Sequence, residues 1–228
     1  MGKTEQLKHI SSYTSKLLRQ KFGKGPESCH ASYGSRYIVL YLRKFICPME
    51  EVLLAQNQYE TVTHSRHTII ETILVELKGV IQVTMDVEVL EFYHDWSYEN
   101  NNGIIVAYVQ DGQADFAPEE SDFPEKTALE QEVSRLSFQL QKLPGTIESF
   151  KISPKIYIVI RYETLVYIEK ALIHKGYGKV LKITKNEYEK KLLHSDGRFE
   201  QIFGNKVTDI FCDEDFSLDK ALTIFFTK

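Results

Sequence analysis

The sequence lacks the cysteine pattern of a disulfide-stabilised protein. Its three cysteines, Cys29, Cys47 and Cys212, are far apart, and no two of them are separated by two residues. An odd number of widely spaced cysteines argues against a disulfide framework and a zinc knuckle, and it is typical of reduced cytosolic thiols. We therefore expect a cytoplasmic protein.

Long hydrophobic runs and an excess of positive charge are absent as well. The longest apolar run, YIVLYL at 37–42, has the length of a strand, whereas a membrane-spanning helix needs about 20 apolar residues. The first residues, MGKTEQLKH, lack the apolar segment of an export signal. A net charge of −4 and a pI near 6.0 give no general attraction to nucleic acid or anionic lipid. The sequence therefore predicts no membrane insertion and no nucleic-acid partner.

Catalytic motifs are missing too. The sequence has no P-loop, no dinucleotide-binding fingerprint and no recognisable Ser-His-Asp arrangement. The 43% hydrophobic and 26% charged residues are ordinary values for a folded globular protein. These features favour a non-enzymatic protein without a cofactor.

The first half of the chain contains helical and strand-like segments in a clear order. Apolar residues from Leu7 to Phe22 keep helical spacing, and Gly23 is placed to end that helix in a left-handed conformation. Two strands around a turn at 33–36 come next, followed by a helix that begins at Pro48. An apolar stripe over 69–81 then predicts a long helix, and two further strands complete the half.

Residues 111–126 have the composition of a linker, with six acidic residues, one lysine and two prolines. After this segment the order of helices and strands repeats, which indicates an internal duplication. Offsets of 118 or 119 residues superimpose the two halves and pair Glu50 with Glu169, Leu53 with Leu172, Leu74 with Leu192, and Asp95 with Asp213.

These patterns predict an α+β fold made of two similar α-β-β-α-β-β units, residues 1–110 and 127–228, joined by the acidic linker at 111–126. Each unit should form an antiparallel sheet covered by helices, because strands of alternating polarity need one buried face and amphipathic helices can bury it. We expect the two units to pack as a pseudo-dimer. The sequence leaves open whether the chain is monomeric or forms a homo-oligomer.

The segment FGKGPES at 22–28 is a candidate ligand-binding corner, in which Lys24, Gly25, Glu27 and Ser28 would contact the ligand. Its glycine spacing differs from that of a P-loop, and it follows a helix, whose C-terminal dipole repels anions. Two interpretations stay open: a corner that only turns the chain, and a rigid loop that presents Lys24 and Glu27 to a protein or a small anion.

Cys47 is a candidate reactive thiol. If Pro48 is the first helical residue, Cys47 is the N-cap, where the helix dipole favours a thiolate and lowers the thiol pKa. The alternative is a small residue that caps the helix without reactive chemistry.

Glu60, His64, His67 and Glu71 form a candidate metal site. They follow one another at spacings of four, three and four residues, which places them close to one face of the predicted long helix. Imidazole and carboxylate groups are common zinc ligands. The alternative is a solvated polar face on the side of the helix opposite Ile70 and Leu77.

Two short motifs resemble the MpsC family of small bacterial proteins, named for a sodium-translocating, membrane-potential-generating system. GKGPES at 23–28 is similar to the family pattern G-[KR]-G-P-[ED], and CPMEEVL at 47–53 is similar to a second family segment. Cys47 stands where the family usually has threonine. The resemblance covers residues 5–110, and residues 127–228 only as a degenerate copy in which LPGTIES replaces the glycine corner.

The resemblance implies an accessory or regulatory protein of sodium or inorganic-carbon transport, peripheral to the membrane through transport subunits as partners. Binding of a protein or a small anion would be its mode of action. Two alternatives remain: a thiol- or metal-dependent sensor or enzyme that uses Cys47 or the Glu60/His64/His67/Glu71 face, and a purely structural oligomerisation module.

Overall fold

The computed structural model of the chain describes residues 2–111 and 122–228. The chain divides into two compact units, Met1–Pro118 and Glu119–Lys228. Most of the predicted acidic linker lies at 112–121, outside the described residues. At its C-terminal end, Phe123 is buried in the core of the second unit. The predicted linker boundaries at 111 and 126 stay a prediction.

The first unit contains three helices and four strands in its described part. In chain order these are α1 (Lys3–Phe22), β1 (Ser28–Gly34), β2 (Tyr37–Arg43), α2 (Pro48–Ala55), α3 (Tyr59–Met85), β3 (Val87–Ser97) and β4 (Asn102–Asp111). The strands form one antiparallel sheet in the order β1-β2-β4-β3.

The second unit repeats this arrangement, with an additional short helix. Its described elements are α4 (Lys126–Leu140), β5 (Thr146–Ser153), β6 (Ile156–Tyr162), α5 (Tyr167–His174), α6 (Gly178–Asp196), α7 (Phe199–Phe203), β7 (Val207–Asp215) and β8 (Lys220–Thr227). The sheet is again antiparallel, in the order β5-β6-β8-β7. The predicted α+β class, with two similar halves that each contain an antiparallel sheet, is confirmed. The predicted pseudo-dimer packing stays a prediction.

Local sequence signals set the element boundaries in the first unit. Gly23 ends α1 with a left-handed φ of 72°, as the sequence predicted. Ser35 and Arg36 both have positive φ, 46° and 69°, which is the backbone of a two-residue turn that suits twisted antiparallel strands. Helix α2 begins at Pro48, and the Glu50 carboxylate accepts a hydrogen bond of 2.8 Å from the Cys47 backbone N–H.

The core of the first unit lies between the sheet and helices α1 and α3. One face of β2 contributes Ile38, Leu40 and Leu42, which are buried with residues of α1 and α3. Ile70, Ile73 and their neighbours on the apolar stripe of α3 complete this core, as the helical spacing predicted.

Backbone conformation supports the internal repeat independently of side chains. Four pairs of residues with left-handed φ are related by offsets of 119, 119, 118 and 118 residues: Lys44 and Glu163, Asn57 and Gly176, Asp86 and Gly204, and Asn101 and Asp219. Positive φ is uncommon outside glycine, so its recurrence at matched positions indicates that the two units share the same turn geometry.

Burial fixes the alignment of the second long helix. The buried residues Lys185, Glu189 and Leu193 of α6 fall on Arg66, Ile70 and Leu74 of α3 at an offset of 119. The offset of 118 that the sequence suggested for Leu74 is therefore wrong by one residue. The offset changes from 119 to 118 after α6, because the second unit has one residue fewer than the first between Leu193 and Gly204.

Candidate functional site

The glycine corner at residues 23–28 forms hydrogen bonds and an ion pair with the loop between β2 and α2. The Lys24 ammonium donates a 2.8 Å hydrogen bond to the Ile46 carbonyl and lies 3.8 Å from Glu51 on α2. Glu27 forms a 2.8 Å ion pair with Lys44, and its backbone N–H donates to the Arg43 carbonyl. Both side chains that were predicted to meet a ligand therefore make local contacts.

The loop next to the corner has the same geometry in both units. In the first unit the Asn101 side-chain oxygen accepts a 2.8 Å hydrogen bond from the Ile46 N–H. The Asn101 backbone carbonyl accepts a second one from the Lys44 N–H. In the second unit Asp219 makes the same pair of contacts, to the N–H groups of Leu165 and Glu163. The loop is thus held by a side chain from the neighbouring hairpin turn.

A buried ion pair lies beneath this loop. Arg66 on α3 is 1% exposed and donates a 2.6 Å hydrogen bond to the Glu50 carboxylate. It also donates a 2.5 Å bond to the Phe45 carbonyl. The guanidinium lies over the rings of Trp96 (4.4 Å to the centroid) and Phe45 (4.8 Å). A buried guanidinium needs both a counter-charge and hydrogen-bond acceptors. Glu50 on α2 supplies the counter-charge, and the Phe45 carbonyl in the preceding loop supplies a further acceptor.

The second unit keeps the ion pair with different chemistry. Lys185 replaces Arg66 and lies 3.3 Å from Glu169, the residue equivalent to Glu50. Glu214 stands at the position of Trp96 and lies 2.7 Å from the Lys185 ammonium. Desolvation by burial raises the pKa of the Glu214 carboxyl to about 7, although the Lys185 charge opposes the rise. A carboxylate has thus replaced the aromatic face as the third partner of the buried cation.

Among the described residues, a second buried polar cluster lies in the second unit. Arg161 pairs with Glu189 and also donates 3.1 Å hydrogen bonds to the hydroxyls of Ser137 and Thr223. At the equivalent positions the first unit has four buried aliphatic residues, Leu18, Leu42, Ile70 and Ile105. All four positions are thus apolar in the first unit and polar in the second. We call Ser137, Arg161, Glu189 and Thr223 the polar tetrad.

Cys47 is the N-cap residue of α2, as predicted, whereas the reactivity of its thiol stays a prediction. The side chain is 5% exposed, and desolvation by burial raises the pKa of the thiol above its ordinary value. The neighbouring Glu50 carboxylate adds to the rise through its charge. The expected lowering of the pKa is therefore wrong in direction, because burial outweighs the helix dipole.

Two of the four predicted metal ligands lie close to a histidine that the sequence did not indicate. His67 and Glu71 on α3 and His94 on β3 each offer a ligand atom, and these atoms lie within 4.8 Å of one another. The His94 Nε2 is 3.7 Å from a Glu71 carboxylate oxygen. His64 and Glu60, one and two turns before His67 on α3, are outside this cluster.

Comparisons with known proteins identify the first unit. The model of the MpsC family, described as the Na+-translocating membrane potential-generating system, matches residues 3–111. No curated protein and no solved structure matches the chain. Within residues 2–111 and 122–228, no helix has both the length and the hydropathy needed to cross a bilayer. The first unit, whose helices and strands lie within residues 3–111, therefore belongs to the MpsC family.

Proposed function

We propose that the chain is a non-catalytic, cytoplasmic accessory module of a sodium-translocating, membrane-potential-generating system and acts by binding a protein subunit of that system. The observation that carries this proposal is the MpsC family match over residues 3–111. The contacts of the corner favour a protein partner over a small anion. The Lys24 ammonium already donates to a carbonyl, and the Glu51 carboxylate 3.8 Å away would repel an anion bound there.

The binding surface that we propose combines the corner with the exposed side of α2. Met49 and Val52, one turn apart on α2, are 63% and 59% exposed. We call them the α2 patch. Glu51 on the same helix and Lys24 in the corner add charges beside it. Exposed apolar side chains with a polar rim are typical of protein-binding surfaces.

The second unit would be a diverged copy that lacks the glycine corner of this surface, although its helix α5 also exposes apolar side chains, Tyr167 and Ile168. The family match ends at residue 111, whereas the backbone geometry of the two units agrees at the matched left-handed positions. We infer a duplication followed by divergence, with units at 1–110 and 127–228. Leu143, Pro144 and Gly145 stand in place of the glycine corner, so we expect partner binding through the corner by the first unit only.

Affinity purification of the tagged full chain from detergent-solubilised host membranes tests the proposal. We expect integral subunits of the sodium-translocating system to co-purify. The double variant Met49→Asp/Val52→Asp should recover at least about tenfold less of these subunits than the wild type, because two charges would be buried in the contact with the partner. The matched control is Val75→Asp/Val83→Asp on α3, whose side chains are 78% and 87% exposed and outside the α2 patch.

Two results would contradict the proposal. One is that the wild-type chain recovers no subunit of that system. The other is that Met49→Asp/Val52→Asp recovers as much as the control while its circular dichroism spectrum is unchanged. The charge reversals Lys24→Glu and Glu27→Lys separate a binding corner from a purely structural oligomerisation module, which predicts that neither reversal weakens co-purification.

A further inference from the structure

A compact group of nitrogen and oxygen donors lies between helix α3 and the edge strand β3. His67 and Glu71 are four residues apart on α3 and therefore share a face of the helix. His94 lies on β3, which is the outer strand of the first sheet. One ligand atom from each of the three residues lies within 4.8 Å of the other two.

The fold holds the three side chains at the boundary between core and solvent. His94 is 8% exposed. It shares its face of β3 with Phe92 and Trp96, two residues on either side, both of which pack against the core with α3. Its ring centroid is 5.2 Å from that of His67. The Glu71 side chain is 58% exposed, so an ion has access from solvent while one imidazole is fixed by burial.

The donor set and its spacing fit one small divalent ion. Two imidazoles and one carboxylate form the ligand set of many catalytic zinc sites, which keep a further position open. Four-coordinate zinc with bonds of about 2.0–2.2 Å holds its ligand atoms roughly 3.3–3.6 Å apart. The His94 and Glu71 atoms are 3.7 Å apart, close to that spacing. All three ligand atoms lie within 4.8 Å of one another, so zinc binding would draw the more distant atoms together by up to roughly 1.5 Å.

The second unit shows what replaces these residues when the donor set is absent. At the offset of 119 in the helix, His67 and Glu71 correspond to Asn186 and Lys190. At the offset of 118 in the strand, His94 corresponds to Cys212. The strand pairing supports this correspondence, because both residues lie at the same distance from the turn of their β-hairpin. The Asn186 amide donates directly to the Cys212 carbonyl. A cationic lysine and an amide that bonds to the backbone make this position of the second unit unsuited to a cation.

We propose that His67, Glu71 and His94 form a site for a single divalent metal ion of the zinc class, with at least one coordination position open to solvent. The site differs from the face that helical spacing alone predicts, because a strand residue replaces Glu60 and His64. It is confined to the first unit and does not depend on the proposed partner binding.

Zinc titration of the metal-stripped full chain, in competition with a chromophoric zinc indicator, tests the site. We expect one saturable ion per chain. The variants His67→Gln and His94→Gln should each weaken binding by at least about 100-fold, since loss of a direct ligand should cost no less than loss of an outer-shell contact. The matched control is His64→Gln, which removes an imidazole from the same helix one turn earlier.

Several outcomes would overturn the site. They are the absence of saturable zinc binding by the folded wild-type chain, unchanged affinity in His94→Gln, and an equal loss of affinity in His64→Gln. The His94 side chain is 8% exposed, so folding of His94→Gln is checked by circular dichroism. If it fails to fold, Glu71→Gln takes its place, because that side chain is exposed and its exchange leaves the core intact. Unchanged affinity in Glu71→Gln overturns the site in the same way.

Discussion

The polar tetrad of the second unit makes a sharp prediction about stability. Arg161 is 2% exposed and Glu189 is 3% exposed, so the variant Glu189→Ile leaves a guanidinium buried without its counter-ion. Breaking a buried ion pair by removing one partner typically costs about 3–5 kcal/mol. We therefore expect Glu189→Ile alone to lower the free energy of unfolding by about that amount, although isoleucine fills a similar volume.

Replacing the whole tetrad should reverse this loss. The fourfold variant Ser137→Leu, Arg161→Leu, Glu189→Ile and Thr223→Ile installs the aliphatic residues that the first unit carries at the equivalent positions. Exchange of a complete buried ionic group for packed apolar residues is often neutral or stabilising by about 1–4 kcal/mol. The fourfold variant should therefore be at least about 3 kcal/mol more stable than Glu189→Ile.

Urea unfolding followed by far-ultraviolet circular dichroism measures both variants. The single tryptophan, Trp96, lies in the first unit, so its fluorescence reports on the unit that carries no substitution and gives an internal reference. The reasoning is refuted if Glu189→Ile is as stable as the wild type. It is also refuted if the fourfold variant is less stable than the single one.

Three further predictions concern single residues. Burial raises the pKa of the Glu214 carboxyl to about 7, so the folded state keeps a proton that the unfolded state loses near pH 4.3. The free energy of unfolding should therefore fall by about 3 kcal/mol between pH 4.5 and 8. Urea unfolding of Glu214→Gln should not show this decrease. A Cβ at position 103 would lie 2.0 Å from the Trp96 ring, so Gly103→Ala should cost about 1–3 kcal/mol and shift the tryptophan emission. In the same assay Gly79→Ala, with open space around it on α3, should gain up to about 1 kcal/mol. The buried Cys47 thiol, whose pKa is raised, should react with a thiol reagent at pH 8 only as fast as the protein unfolds; rapid labelling of the folded protein would contradict this.

Local structure in this chain follows from short-range signals that the sequence displays directly. Gly23 and Pro48 mark the end of α1 and the start of α2, because each has a backbone preference that acts within one turn of chain. The apolar stripe of α3 likewise predicted which face of that helix is buried. The strands differ from the expectation of one buried face, because β2, β6 and β8 are buried along nearly their whole length on both faces.

The candidate site could be predicted only in part. His67 and Glu71 were recognisable from their helical spacing, but His94 lies 23 residues beyond Glu71 on a different element. No local pattern indicated that this strand places an imidazole against α3. Arg66 did carry a signal that was missed: it lies four residues before Ile70 and therefore on the buried stripe.

The sequence by itself determined the order of the strands, the end of α1 at Gly23 and the start of α2 at Pro48, because these depend on backbone preferences and hydrophobic period over a few residues. The predicted α-β-β-α-β-β unit has two helices, whereas the described part of the structure has three in the first unit and four in the second. Only the tertiary structure decided which polar residues meet. Burial turned Cys47 from an expected thiolate into a thiol of raised pKa, brought His94 to His67 and Glu71, and paired Arg161 with Glu189. Desolvation and long-range contacts depend on which side chains pack against a residue, and those side chains come from chain segments that are far away in sequence.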